Sequence, residues 1–222
     1  MKIEPSLAEA FIPSPLAASR PALKGKGSSA TAVHDDLDIL RAIVEGTARS
    51  TGEEFFQSLA RHLASALGVP FAAISEFAGV NTRVRTLAFW ARGQIQENFE
   101  YDLAGTPCED VMRGRLCHYP SGVKERFPQA KPLVQLGVES YLGTPLLDSE
   151  GKALGLLAVF DERPMTAQPR HLYILRIFAA RVAGVLERLR AERRLSASER
   201  RYRDLFEEIL GDRHCGEILR TH

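Results

Sequence analysis

The chain has 222 residues, 45% of them hydrophobic and 26% charged, with a formal net charge of +1. Such values suit one or two globular domains with an ordinary core, and they give no general drive toward nucleic acid or an anionic membrane. Three cysteines (Cys108, Cys117 and Cys215) at no metal-ligand spacing, with no apolar run near the ~20 residues of a membrane span, exclude a disulfide-framed secreted scaffold, a zinc motif and a transmembrane helix.

Residues 1–33 are rich in Pro, Ala, Ser and Gly without a period, and read as a disordered leader. Asp35-Asp36 opens a first helical pattern through Leu37, Leu40, Ile43 and Val44. Thr51 as N-cap with Glu54 three residues on predicts a capping box. The stripe Phe56, Leu59, Ala60, Leu63, Ala66 and Leu67 then predicts a helix that Gly68 and Pro70 stop. Phe71–Phe77 reads as a buried strand, 78–81 as a turn, and Thr82–Ala91 as the return strand, with Val84, Thr86, Ala88 and Trp90 on one face. A third strand is expected around Phe99–Tyr101, a short helix from Thr106-Pro107 to Met112, and a short strand over Leu116–Tyr119. Residues 120–137 carry three prolines and two glycines and read as a long irregular loop, the kind that carries function in compact domains. Two strands follow, Ser140–Leu147 and Ala153–Phe160, with Pro145 assigned to an edge or bulge. A long helix from Thr166 or Gln168 shows Leu172, Leu175, Ala179, Val182, Leu186 and Leu189 as a heptad seam. Arg193 and Ser196 break the seam, and Leu195, Tyr202 and Ile209 restart it in another phase. The order of elements gives an α+β fold: one antiparallel sheet with flanking helices and a long C-terminal helix.

Five segments in this order resemble a GAF domain of the bacterial sensor-kinase and regulator type: Leu103–Val111, Cys117–Val123, Phe127-Pro128, Gly137–Leu146 and Leu154–Val159. The resemblance covers residues 34–190, and Leu195–Glu208 resembles the lead-in helix of a PAS domain. The chain thus divides into a leader (1–33), a GAF domain (34–190) and a coiled-coil linker with a truncated PAS-like start (191–222), and reads as a fragment of a longer signalling protein. The resemblance implies a mixed sheet of five or six strands, helices on one side and a ligand pocket on the other. It also implies a cytoplasmic homodimer paired through its first and last helices.

The pocket implied by the family would be closed by residues 103–136, with Phe99, Cys108, Val111, Phe127 and Tyr141 as candidate ligand-binding residues. No cofactor is named by the residues. Cys117-His118 is similar to the Cys-His pair that attaches a bilin in some phytochrome-type members, but the rest of that pocket is not recognisable. No Asn-Lys pair is present, which argues against the cyclic-nucleotide signature. Methionine sulfoxide reduction, known on the same fold, needs a cysteine nucleophile just before the Ser140 strand, and 133–138 has none. A regulatory Cys108–Cys117 disulfide stays open. The arginines at 188–203 alternate with Glu187, Glu192, Glu199 and Asp204 and read as a solvated helix face, not a nucleic-acid stripe. The expected function is small-molecule or redox sensing without catalysis. A dimerisation scaffold that binds nothing is the alternative.

Overall fold

The structure, a computed structural model, describes residues 52–78 and 82–218, with side chains as far as Phe206. The expected leader, the helix opened by Asp35-Asp36, Thr51 and most of the 78–81 turn lie outside the described residues. Helix α1 (Glu53–Leu67) starts from Gly52, which makes no side-chain cap. Glu54 therefore sits at the second helical position, not at the third that the expected capping box assigned to it. Its far end closes as expected: Gly68 is left-handed, and the amides of Gly68 and Val69 return to the Ser65 and Ala64 carbonyls.

Seven strands form one sheet: β1 (Phe71–Phe77), β2 (Arg83–Ala91), β3 (Gln94–Gln96), β4 (Glu100–Asp102), β5 (Cys117–Tyr119), β6 (Ser140–Leu147) and β7 (Ala153–Asp161). Their order is β3-β2-β1-β7-β6-β5, with β4 on the other half of the outer edge of β2. All pairings among the described residues are antiparallel, so the parallel pairs of a mixed sheet do not occur there. Pro145 pairs with Leu156 of β7, while β5 reaches only Gly143, so the ring faces an unpaired edge.

A bulge between Ile74 and Ser75 leaves Leu87 unpaired on β2. One extra residue reverses the alternation. Val84 and Thr86 consequently face one side of the sheet while Ala88 and Trp90 face the other, which corrects the single face expected for the four.

One sheet face packs against α1 and the first part of α5 (Pro169–Ile218). Leu175, Ala179, Val182 and Leu186 are buried there within the single chain, Leu186 to 1% exposure, and Leu172 and Leu189 pack beside them. The expected interchain seam is thus the stripe by which α5 docks on its own domain. Steps of three and four serve both purposes. From residue 191 to 206 every side chain is exposed, although α5 runs unbroken past Arg193 and Ser196. The change of phase marks the point where the helix leaves the domain. The other sheet face is covered by α2 (Pro107–Met112), α3 (Val123–Arg126) and α4 (Lys131–Gln135), the last two lying inside the expected irregular loop.

Candidate functional site

A cavity of about 450 Å³ lies between this second face and its cover. Its floor follows from the register. Phe89, Ala73, Ala158 and Gly143 are successive cross-strand partners on β2, β1, β7 and β6. Three small residues in one row leave a depression between large neighbours. Tyr141 lies across it, because a Cβ on Gly143 would come within 2.5 Å of the Tyr141 hydroxyl. The walls are aromatic: Phe160 stacks on Tyr141 at 6.4 Å and on Phe89 at 6.1 Å, and Phe99 meets Phe89 edge-on at 5.8 Å. Gln129, Leu133 and Leu136 close the top.

Cys108, near the start of α2, joins two tyrosines. Its Sγ is 3.4 Å from the Tyr101 hydroxyl and 3.3 Å from that of Tyr141. Two contacts use two of the three O–H and S–H hydrogens. Thr86 is already spent, accepting from the Phe99 amide at 2.8 Å and donating to its carbonyl. Thr106 donates to the Leu103 carbonyl at 2.7 Å. Ser75 is wholly buried close to Tyr101. Burial pushes the Tyr101, Cys108 and Tyr141 groups up from their ordinary pKa values. The floor therefore favours neutral partners. Charge is confined to the rim, where Arg83 meets Asp102 at 3.3 Å and Glu100 at 3.8 Å.

Of the five candidate residues, Phe99, Cys108 and Tyr141 line the cavity. Val111 is fully buried in the same apolar cluster without reaching it. Phe127 is half-buried against the same cluster and does not line the cavity, its ring edge-on to Tyr119 at 5.1 Å. Tyr101, Phe89, Phe160 and the two floor alanines were not among the candidates, since their convergence depends on register. Cys117 and His118 alternate along β5. The imidazole Nε2 faces the Met165 carbonyl at 2.9 Å, while Cys117 packs on the cavity-side cluster, so the two do not form a thiol–imidazole pair. Both Cys108 and Cys117 are free thiols. Tyr119 donates to Asp110, and burial followed by this bond pushes its pKa up to about 12.

The sequence profile of the GAF domain matches residues 51–186, more than half of the chain. The chain belongs to the GAF family. No protein of curated function matches the sequence. Among solved structures, the GAF domain of an Acinetobacter phosphoenolpyruvate-protein phosphotransferase is similar at 22% identity and TM-score 0.58, over 70% of this chain and 94% of that one. The GAF domain of A. aeolicus nlh2 in an inactive state has 14% identity and TM-score 0.56, over 70% of this chain and 97% of that one. The chromophore-binding domain of an unusual bacteriophytochrome from R. palustris has 10% identity and TM-score 0.55, over 70% of this chain and 63% of that one. At these identities the likeness is one of fold. GAF domains are signalling and sensor modules, and the cavity of this one lies between its sheet and the cover from α2 to α4. Among its described residues no cluster of His, Cys, Asp and Glu is placed to hold a metal ion, and no helix is long and apolar enough to cross a membrane.

Proposed function

We propose that this GAF domain is a non-catalytic sensor, a module of a cytoplasmic signalling protein, which holds an uncharged, largely aromatic small molecule in the cavity. The observation that carries this reading is the buried Tyr101–Cys108–Tyr141 chain inside an aromatic enclosure of about 450 Å³. Apolar walls with a few convergent polar groups suit a small organic ligand. A neutral polar group on the ligand would meet the hydroxyls and thiol of this chain, while a carboxylate or phosphate would be desolvated on the floor without a cation. The same burial keeps Cys108 as a thiol, a poor nucleophile, which supports binding over thiol chemistry. The test is thermal melting against a library of neutral aromatic metabolites. A binder should raise the midpoint with concentration, and Ala73→Leu, which fills the floor, should abolish the rise. If no compound moves the wild-type midpoint, the scaffold alternative stands instead.

Homodimerisation through α5 rests on a separate observation. Beyond the docked part, Leu195, Tyr202, Leu205 and Phe206 are exposed, Tyr202 to 72%. Leu195, Tyr202 and Leu205 recur at the spacing of a coiled coil. Sedimentation should give a dimer that Leu195→Glu with Tyr202→Glu converts to a monomer. A monomeric wild type at high concentration would end this part of the proposal.

A further inference from the structure

A second hollow, also about 450 Å³, opens on the other side of the sheet where α5 departs. One wall is the end of the sheet, with Arg85 and Lys152; the other is the α5 turn carrying Arg190, Arg193 and Arg194. At its base Glu76 is almost wholly buried, its side chain 6% exposed. Arg85 reaches it at 2.6 Å, Arg190 at 3.5 Å and Arg193 at 3.9 Å, and Arg190 also donates to the Leu154 carbonyl at 2.8 Å. Three arginines thus pair with one buried carboxylate, and Lys152 and Arg194 complete a lining of five cations. Glu100 on the rim is also within ion-pair distance of Arg83. Lys152 and Arg194 have no ion pair among the described residues. Glu76 and Glu100 leave the five cations in excess, and guanidinium forks fit phosphate oxygens in pairs.

We infer that this cleft binds a small polyanion of the phosphoryl class, carrying two or more negative charges. The site lies outside the aromatic cavity, the two sharing Glu100 alone among their lining residues. Its two walls belong to the sheet and to the output helix, so an anion between them fastens the root of α5 to the domain. The arginines that read from sequence as a solvated face are in part the wall of this cleft.

The test uses the full chain, titrated calorimetrically and by melting with inorganic pyrophosphate, with sodium sulfate at matched ionic strength as control. Saturable one-to-one binding with a rise in midpoint is expected for pyrophosphate and not for sulfate. Arg193→Ala with Arg194→Ala, both exposed and outside the core, should weaken binding about tenfold or more while the midpoint without anion stays near that of wild type. A nucleoside diphosphate that binds more tightly than pyrophosphate through the same arginines would place the phosphoryl group on an ester. The inference fails if the pyrophosphate response equals that of sulfate or survives the double substitution. It fails equally if short duplex DNA or anionic vesicles bind through these arginines while pyrophosphate does not.

Discussion

Tyr141→Phe tests the buried hydroxyl–thiol chain directly. Tyr101, Cys108 and Tyr141 all have raised pKa values in the folded domain, chiefly from burial. Above the ordinary cysteine and tyrosine ranges the unfolded chain releases these protons while the folded chain keeps them. The folded state then binds more protons, so stability falls as pH rises. Each retained proton costs about 1.4 kcal/mol per pH unit. Tyr101 and Tyr141, raised furthest, together approach about 2.7 kcal/mol per unit above pH ~11, where unfolded tyrosine is largely ionised, and Cys108, Cys117 and Tyr119 act in the same direction. Tyr141→Phe removes one titrating group and should lower the slope above pH ~11 by about 1.4 kcal/mol per unit. At neutral pH it deletes only one thiol contact, worth about 0.5–1.5 kcal/mol. Urea unfolding followed by circular dichroism from pH 8 to above pH 11 measures both quantities. An alkaline slope in Tyr141→Phe equal to that of wild type would mean that Tyr141 ionises in the folded state, and the closed picture of the cavity floor would be wrong.

Gly155→Ala should be strongly destabilising, because a Cβ there would lie 2.0 Å from the Ser75 carbonyl oxygen, which belongs to backbone and cannot rotate away. A loss of about 2 kcal/mol or more is expected in urea unfolding, and a value near zero would contradict the close approach of β7 to β1. Glu76→Gln should cost about 1–3 kcal/mol, since three arginines lose the charge that gathers them. Hydrogen exchange of the α5 amides around Arg190 should quicken in that variant, and unchanged exchange would deny the clamp its role. Iodoacetamide should label half-buried Cys117 in the native domain well before buried Cys108, as read by peptide mass; equal labelling at short times would show that the cavity opens readily.

The parts of the fold legible in the sequence are those with local causes. Gly68 ends α1 because a left-handed residue is needed at that point, and 140–147 and 153–161 announce themselves as apolar runs flanking a turn. Leu87 shows where that legibility stops. Nothing near it in the sequence signals a bulge, yet the bulge decides which of Val84, Thr86, Ala88 and Trp90 faces the cavity. The cavity floor was hidden for a related reason. Ala73, Ala158 and Gly143 are unremarkable until strand register sets them side by side. Cys108 and Tyr141 were accessible through family motifs, whereas Tyr101 sits on a three-residue strand too short to give a period. The α5 stripe was visible, but its partner was not, since a helix that docks on a sheet and one that docks on its twin carry the same spacing.

Helix α5 has 50 residues and so is about 75 Å long. Its portion beyond Arg190 projects roughly 40 Å from the domain. Such geometry is that of a lever whose fulcrum is the Glu76–Arg190 contact. A tilt of about 5° at the fulcrum carries the far end sideways through about 3.5 Å. The protein thus needs no large rearrangement of its sheet to be heard at a distance; the length of the arm does the amplification.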